Sequence, residues 1–150
     1  MAILLLSFLA ACGGGTSDDD FGGECIGDDC VCTDAEECDI SCGDGCRAVC
    51  ERTDNCVSEC GDDCDIICRD AFTCAGSCGD GCLATCDNVG DCVVDCGEDC
   101  EAVCLDTDSC DVTLTSGAVT CEGSECVIDC RVGAPVDCGG NRFACDPFWC

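Results

Sequence analysis

The sequence predicts an all-β fold: a small disulfide-stapled β-solenoid of 18-residue coils. Three observations point to it. The cysteines from Cys38 to Cys110 repeat the unit C-x3-C-G-[DE]-x-C-x3-C-x5 four times without an insertion, and a fixed period of this length means one structural unit copied and stacked. Between the third and fourth cysteines of each unit, Ala48, Ile66, Ala84 and Ala102 fall on the cysteine face of a strand. The β-branched or strand-compatible Val49, Ile67, Thr85 and Val103 fall on the other face. Finally, Gly43, Gly61, Gly79 and Gly97 would stop any helix after about one turn, too short to stand in water. Each coil then holds two five-residue strands and two turns. A run of disulfide-stapled hairpins, or a loop-dominated scaffold, is the alternative the same spacing allows.

Composition agrees that cross-links carry the fold. The 150 residues include 27 cysteines but only five Phe, one Trp and no Tyr. Large side chains that normally fill a core are scarce. Thirty-three acids face five bases, all arginine, for a net charge of −28. Such a chain repels nucleic acid and anionic lipid and attracts cations. With no Lys and no His, a Ser-His-Asp triad, a Schiff-base lysine and a His-ligated metal are all excluded, so the sequence predicts no enzyme and no catalytic residue.

The first residues read as an address. Ala2 to Ala11 (AILLLSFLAA) is an apolar run too short to span a bilayer and suited to the core of a signal peptide. It ends in Leu9-Ala10-Ala11-Cys12, which resembles the bacterial lipobox. That resemblance implies a lipoprotein signal peptide over 1–11 and lipidation of Cys12. Residues 12–24 then form the lipidated cysteine and a flexible acidic tether (GGGTSDDDFGG). By the same analogy, the lack of Asp after Cys12 leans toward the outer membrane, as part of the cell envelope. Beyond the membrane, regularly spaced cysteines are expected as disulfides.

Setting Cys12 aside for lipid leaves 26 cysteines, an even number. After Cys110 the ruler predicts cysteines at 114 and 118 and meets Leu114 and Ala118 instead. The second and third cysteines of the unit vanish together, which suggests that they are partners: Cys42–Cys46, Cys60–Cys64, Cys78–Cys82 and Cys96–Cys100. The first and fourth cysteines could pair within a unit, as Cys38–Cys50. They could instead staple the five-residue turns as Cys50–Cys56, Cys68–Cys74, Cys86–Cys92 and Cys104–Cys110, with Cys32–Cys38 and Cys25–Cys30 before them. The second scheme is preferred because it leaves even numbers at both ends.

The repeats therefore occupy 25–110, and 111–150 forms a cysteine-rich β cap. The stretch from Cys110 resembles the short V-x-C and G-[AS]-x-C repeats of cysteine-rich predicted lipoproteins of Gram-negative bacteria, including myxobacteria. This implies an all-β surface protein and transfers no catalytic residues. Phe143, Phe148 and Trp149 gather at the C-terminus and are expected to seal the open end of the solenoid. An 18-residue coil of two strands also resembles the coil length of calcium-binding RTX β-rolls, although their glycine-rich motif is absent.

The Gly-acid turns set Asp44, Asp62, Asp80 and Glu98 in one column. Carboxylates stacked at about 4.8 Å repel one another unless bridged, so a weak calcium ladder is a candidate site, with Asp63 and Asp99 able to add oxygen ligands. Thiolate metal binding and thiol redox chemistry are disfavoured, since one C-x-C and no C-x-x-C occur. The function expected is a monomeric, exported, lipid-anchored repeat protein with a structural or binding role at the cell envelope, meeting a protein or polysaccharide partner. A calcium-binding module and a disulfide-scaffold protease inhibitor are the alternatives.

Overall fold

The computed structural model describes residues 24–150 apart from 27 and 124. The proposed signal peptide, Cys12 and most of the tether lie outside the described residues. The chain winds as a succession of short strands in two sheets. One sheet contains β2 (Asp29–Thr33), β4 (Arg47–Glu51), β6 (Asp65–Arg69), β8 (Leu83–Asp87), β10 (Cys100–Leu105) and β12 (Gly117–Glu122). These run parallel and side by side, with β1 (Glu24–Ile26) at one edge and β15 (Arg142–Ala144) and β14 (Val136–Gly139) at the other. The second sheet stacks β3 (Glu37–Ser41), β5 (Asn55–Glu59), β7 (Thr73–Ser77), β9 (Asp91–Cys96), β11 (Ser109–Leu114) and β13 (Glu125–Cys130), all parallel. Successive strands along the chain alternate between the sheets, which makes the molecule a β-solenoid with a disulfide-rich interior.

Register follows the sequence ruler. Cys50 stands beside Cys68, Cys68 beside Cys86 and Cys86 beside Cys104. In the opposite sheet Cys56, Cys74, Cys92 and Cys110 line up in the same way. Parallel pairing continues past the regular repeats, but the coil shortens: Cys104 is beside Cys121, and Cys110 beside Cys126. The shortening corrects one sequence expectation. Leu114 does take the second cysteine's place, beside Cys96, but the third is taken by Gly117, beside Cys100, while Ala118 sits beside Glu101. Gly117 has φ 132°, and a Cβ there would strike the Cys100 carbonyl. The turn lost one residue when it lost its bridge, so Ala118 slid to the neighbouring register.

The interior is narrow and filled by columns. Cysteines form one inward column per sheet, and a second column holds Ala48, Ile66, Ala84, Ala102 and Val119 on one side and Ile40, Ser58, Gly76, Val94 and Val112 on the other. Volumes complement across the gap: Ile66 reaches over Gly76, whose missing Cβ would sit 3.3 Å from Ile66 Cδ1. A methyl there would press on Ile66, and close-packed interiors tolerate such additions poorly.

At the C-terminal end, β15 pairs antiparallel with β12, and β14 with β15. Ala144 is fully buried against this end, and Cys130–Cys145 and Cys138–Cys150 tie the segment down. The aromatic seal expected from sequence is not what closes the solenoid. Phe148 is 95 % exposed, and the short 3-10 turn Pro147–Trp149 buries no residue. A strand pair that extends a sheet satisfies edge hydrogen bonds, which a loose aromatic cluster cannot do.

Ser58 points into this core, 1 % exposed, and its hydroxyl has no hydrogen-bond partner. An unsatisfied buried hydroxyl costs roughly 1–3 kcal/mol. Ser58→Ala is therefore expected to stabilise the oxidised protein by about 1 kcal/mol, measured as a higher denaturant midpoint with unchanged slope. An unchanged or lower midpoint would contradict the packing described.

Candidate functional site

The two corners of the coil position the repeat cysteines and the turn acids singled out from the sequence. At the five-residue turns, bridges join Cys32–Cys38, Cys50–Cys56, Cys68–Cys74, Cys86–Cys92 and Cys104–Cys110, with Cys121–Cys126 in the shortened coil. Cys30 is also disulfide-bonded. Each bridge closes a loop of a few residues, for which chain entropy in the unfolded state gives about 2 kcal/mol. The turns themselves follow one path. The second residue, Asp34, Arg52, Asp70, Asn88 or Asp106, takes a left-handed φ between 49° and 56°. The third, Thr53, Ala71, Val89 or Thr107, is buried. Asp and Asn tolerate that conformation better than other non-glycine residues. Arg52 is the exception, and its guanidinium forks onto Asp34 of the preceding coil at 2.7 and 2.9 Å and also meets Glu51. That hydrogen-bonded arginine holds the Asp34 carboxyl below its ordinary range.

The other corner carries the Gly-acid turns, and here the carboxylates have a task the sequence reading missed. Asp44 Oδ1 accepts the Asp62 backbone N–H at 3.0 Å, Asp62 Oδ1 accepts that of Asp80 at 2.9 Å, and Asp80 Oδ1 accepts that of Glu98 at 2.7 Å. Each acid caps the same residue one coil further on. The neighbouring amides are stitched by backbone alone: Gly61, Gly79 and Gly97 donate to the glycine carbonyl of the coil before. Gly45, Asp63 and Gly81 donate to a carbonyl of the coil after. The column thus supplies the one acceptor per turn that the backbone does not.

This geometry also explains the invariant glycine before each acid. A Cβ on Gly61, Gly79 or Gly97 would lie within about 2 Å of the Oδ1 atom of Asp44, Asp62 or Asp80. Glu98 ends the column because the next coil is shorter: Thr115 and Ser116 both donate to the Gly97 carbonyl, at 3.0 and 3.5 Å, so neither N–H needs the Glu98 carboxylate. Asp63 and Asp99, the extra calcium ligands expected from sequence, occupy left-handed positions with φ 55°, equivalent to Gly45 and Gly81.

Behind the carboxylates stands a column of turn cysteines. Cys42–Cys46 and Cys96–Cys100 are bridged. Cys64, Cys78 and Cys82 carry thiols, so the expected bridges Cys60–Cys64 and Cys78–Cys82 are not formed. The sulfurs instead approach those of the adjoining coil: Cys42 and Cys60 at 3.3 Å, Cys46 and Cys64 at 3.5 Å, Cys78 and Cys96 at 3.1 Å. In a parallel in-register stack each corner cysteine has two neighbours, one across its turn and one a strand spacing away. Sequence spacing shows only the first.

Could this column hold a metal? Cys42, Cys46 and Cys60 converge, as do Cys78, Cys82 and Cys96. In each trio, however, at least one sulfur is already committed to a disulfide, and a thiolate is what binds a metal. Burial, then hydrogen bonding and like charge from Cys82, push the Cys78 thiol far above its ordinary value. Burial likewise raises Cys82, against hydrogen bonds from Cys78 and the Cys64 backbone that favour the thiolate. These are protonated, sheltered sulfurs, poor nucleophiles at neutral pH.

No family model, curated protein or solved structure matches this chain.

Two outcomes follow from the corner chemistry. Asp62→Asn keeps the Oδ1 acceptor and removes a charge, so its melting temperature is expected to equal or exceed that of the parent. Asp62→Ala removes the cap and is expected to lose about 1 kcal/mol. A calcium ladder would instead make both variants lose a calcium-dependent shift, which melting with calcium and with EDTA would reveal. The thiols give a pH signature. The Cys78 pKa is raised on folding, so its share of stability is complete below the ordinary value of 9.0 and is lost as pH rises above it. The parent is expected to lose more stability than Cys78→Ala between about pH 8.5 and 10, and iodoacetamide is expected to label Cys64, Cys78 and Cys82 quickly only after unfolding.

Proposed function

We propose that this chain is an exported, lipid-anchored, disulfide-stapled solenoid that serves as a non-enzymatic binding and structural platform at the bacterial cell envelope, on the outer membrane. The observation that carries the reading is the bridge repeated at one corner of every regular coil. Disulfides persist in oxidising compartments and are rare in the cytosol, so a core made of them suits a protein that has left it. The export route is supplied by the apolar run and Leu9-Ala10-Ala11-Cys12. Several acyl chains on Cys12 give stable anchoring where one would be marginal, and the acidic stretch after it spaces the solenoid from the bilayer, whose anionic surface repels a charge of −28.

A rigid stack of flat faces with no histidine or lysine suits recognition better than acid–base chemistry. The partner envisaged is another macromolecule of the envelope, met by one such face.

Expression in a Gram-negative host with a labelled fatty acid tests this reading. The parent is expected to incorporate label and sediment with membranes, and Cys12→Ser is expected to do neither. Label persisting in the variant, or a soluble unlabelled parent, would overturn the anchor.

A further inference from the structure

The two broad faces of the solenoid differ in charge. Arg47 and Arg69 lie in β4 and β6, and Arg142 in β15, all in the same sheet. The six-stranded sheet of β3 to β13 contains no base. Its outward positions hold Glu37, Asp39, Glu59, Asp91, Asp95, Asp111, Glu125 and Asp129, whose inward neighbours are the cysteines and core residues. Segregation of this kind is not required by the repeat, since both sheets share one period.

The middle of this acidic face is apolar and dented. Val57, Ala75 and Val93 stand side by side in one column on β5, β7 and β9. The two valines are 43 % and 48 % exposed. The small Ala75 and Ser77 of β7 leave a shallow groove between those valines, with Glu59 and Asp95 on its rim. A second groove continues from Val57 toward Glu37 and Asp39. The chain itself shows what seats on this rim: the Arg131 guanidinium pairs with Asp95 and donates to the Cys96 carbonyl at 3.0 Å.

We propose that this face binds a cationic polypeptide segment, with the aliphatic stems of its Arg or Lys side chains lying over Ala75 between Val57 and Val93 and their charged heads at Glu59 and the neighbouring acids. Long basic side chains pair an apolar stem with a cationic head, which is the pattern of an apolar floor with carboxylate edges. Asp95 is taken by Arg131, so Glu59 at this groove and Glu37 and Asp39 at the adjoining one are the carboxylates that would receive a partner's basic residues. The opposite face, with Arg47 and Arg69 among its acids, repels the same partner in part. The proposal rests on the binding role inferred above and names the chemistry of its partner.

The test uses the oxidised full chain and a fluorescein-labelled octa-arginine peptide, with binding followed by anisotropy. Ala75→Arg fills the groove with the protein's own cation. Thr85→Arg makes the same charge change at the centre of the opposite face, where Thr85 stands between Ile67 and Val103. Both positions face outward, and circular dichroism with intact mass checks that both variants fold and oxidise. Ala75→Arg is expected to weaken binding about tenfold or more, and Thr85→Arg less than about twofold, since a charge placed at a contact acts far more strongly than a distant screened one. Equal weakening by both variants would show diffuse attraction to a chain of charge −28 and overturn the site. Absence of peptide binding would overturn it too, while leaving fatty-acid labelling of Cys12 to stand or fall separately. Spermine competing as well as the peptide at equal charge would remove the role of the apolar floor and overturn the polypeptide assignment.

Discussion

The regular part of this molecule depends on one constraint: each coil is stacked on the last in register, so a residue of the 18-residue repeat sits over its own equivalent. Stacking of this kind turns a sequence position into a column. A column of cysteines becomes a spine of bridges, a column of small apolar residues becomes a core, and a column of acids becomes either a source of repulsion or a ladder of caps. The Gly-acid corner resolves the third case. Each aspartate leans along the stack and spends one oxygen on the next coil's amide, which offsets repulsion with a charge-assisted hydrogen bond. The close approach then fixes glycine beneath it. Two letters of the repeat motif, Gly and Asp, are thus one interaction seen from two coils.

The same constraint sets the division of labour between bridges and burial. A coil this narrow cannot hold aromatic side chains, and the largest residues in its interior are Ile40, Ile66 and Leu114. Apolar burial is accordingly modest for the length of chain, and disulfides restrict the unfolded state instead. Bridges at the five-residue turns tie one sheet to the other at every coil, so the two sheets cannot shear apart. The Gly-acid corner is held differently. Hydrogen bonds run up and down the stack there, and sulfurs of adjacent coils touch, so that corner keeps its shape whether or not each of its cysteine pairs is joined.

Much of the architecture could be read from sequence because period and hydrophobic alternation are local signals. The 18-residue spacing, the two strands per coil and the turn-spanning pairs all depend on residues within one unit. What stayed hidden depends on neighbouring coils. The capping role of Asp44, Asp62 and Asp80 involves an amide 18 residues away, and the choice of each corner cysteine between Cys-across-the-turn and Cys-in-the-next-coil is invisible in spacing alone. The slip from Ala118 to Gly117 is hidden for another reason: a ruler counts residues, while a turn that has lost its bridge is free to shorten. The 18-residue series Asp34, Arg52, Asp70, Asn88, Asp106 and the small series Thr53, Ala71, Val89, Thr107 spell out the path of the five-residue turn, a left-handed residue followed by one that dips into the core.

Columns also explain how such a scaffold comes to carry a binding face. An outward residue packs against no residue of the opposite sheet; its neighbours are on its own face, chiefly the equivalents above and below it. Outward columns can therefore change without disturbing the core, and the two sheets, identical in period, have become different in charge. The interior cannot drift in this way, since Ile66 needs Gly76 opposite and Gly61 needs Asp44 above. Arg131 shows the consequence at the margin of the acidic face: just past the last strand of this sheet, its guanidinium settles on Asp95, two strands back in the stack. A face that orders its own arginine by charge at the edge presents further carboxylates of the same kind, Glu59, Glu37 and Asp39, pre-spaced by the stack, to an arginine from elsewhere.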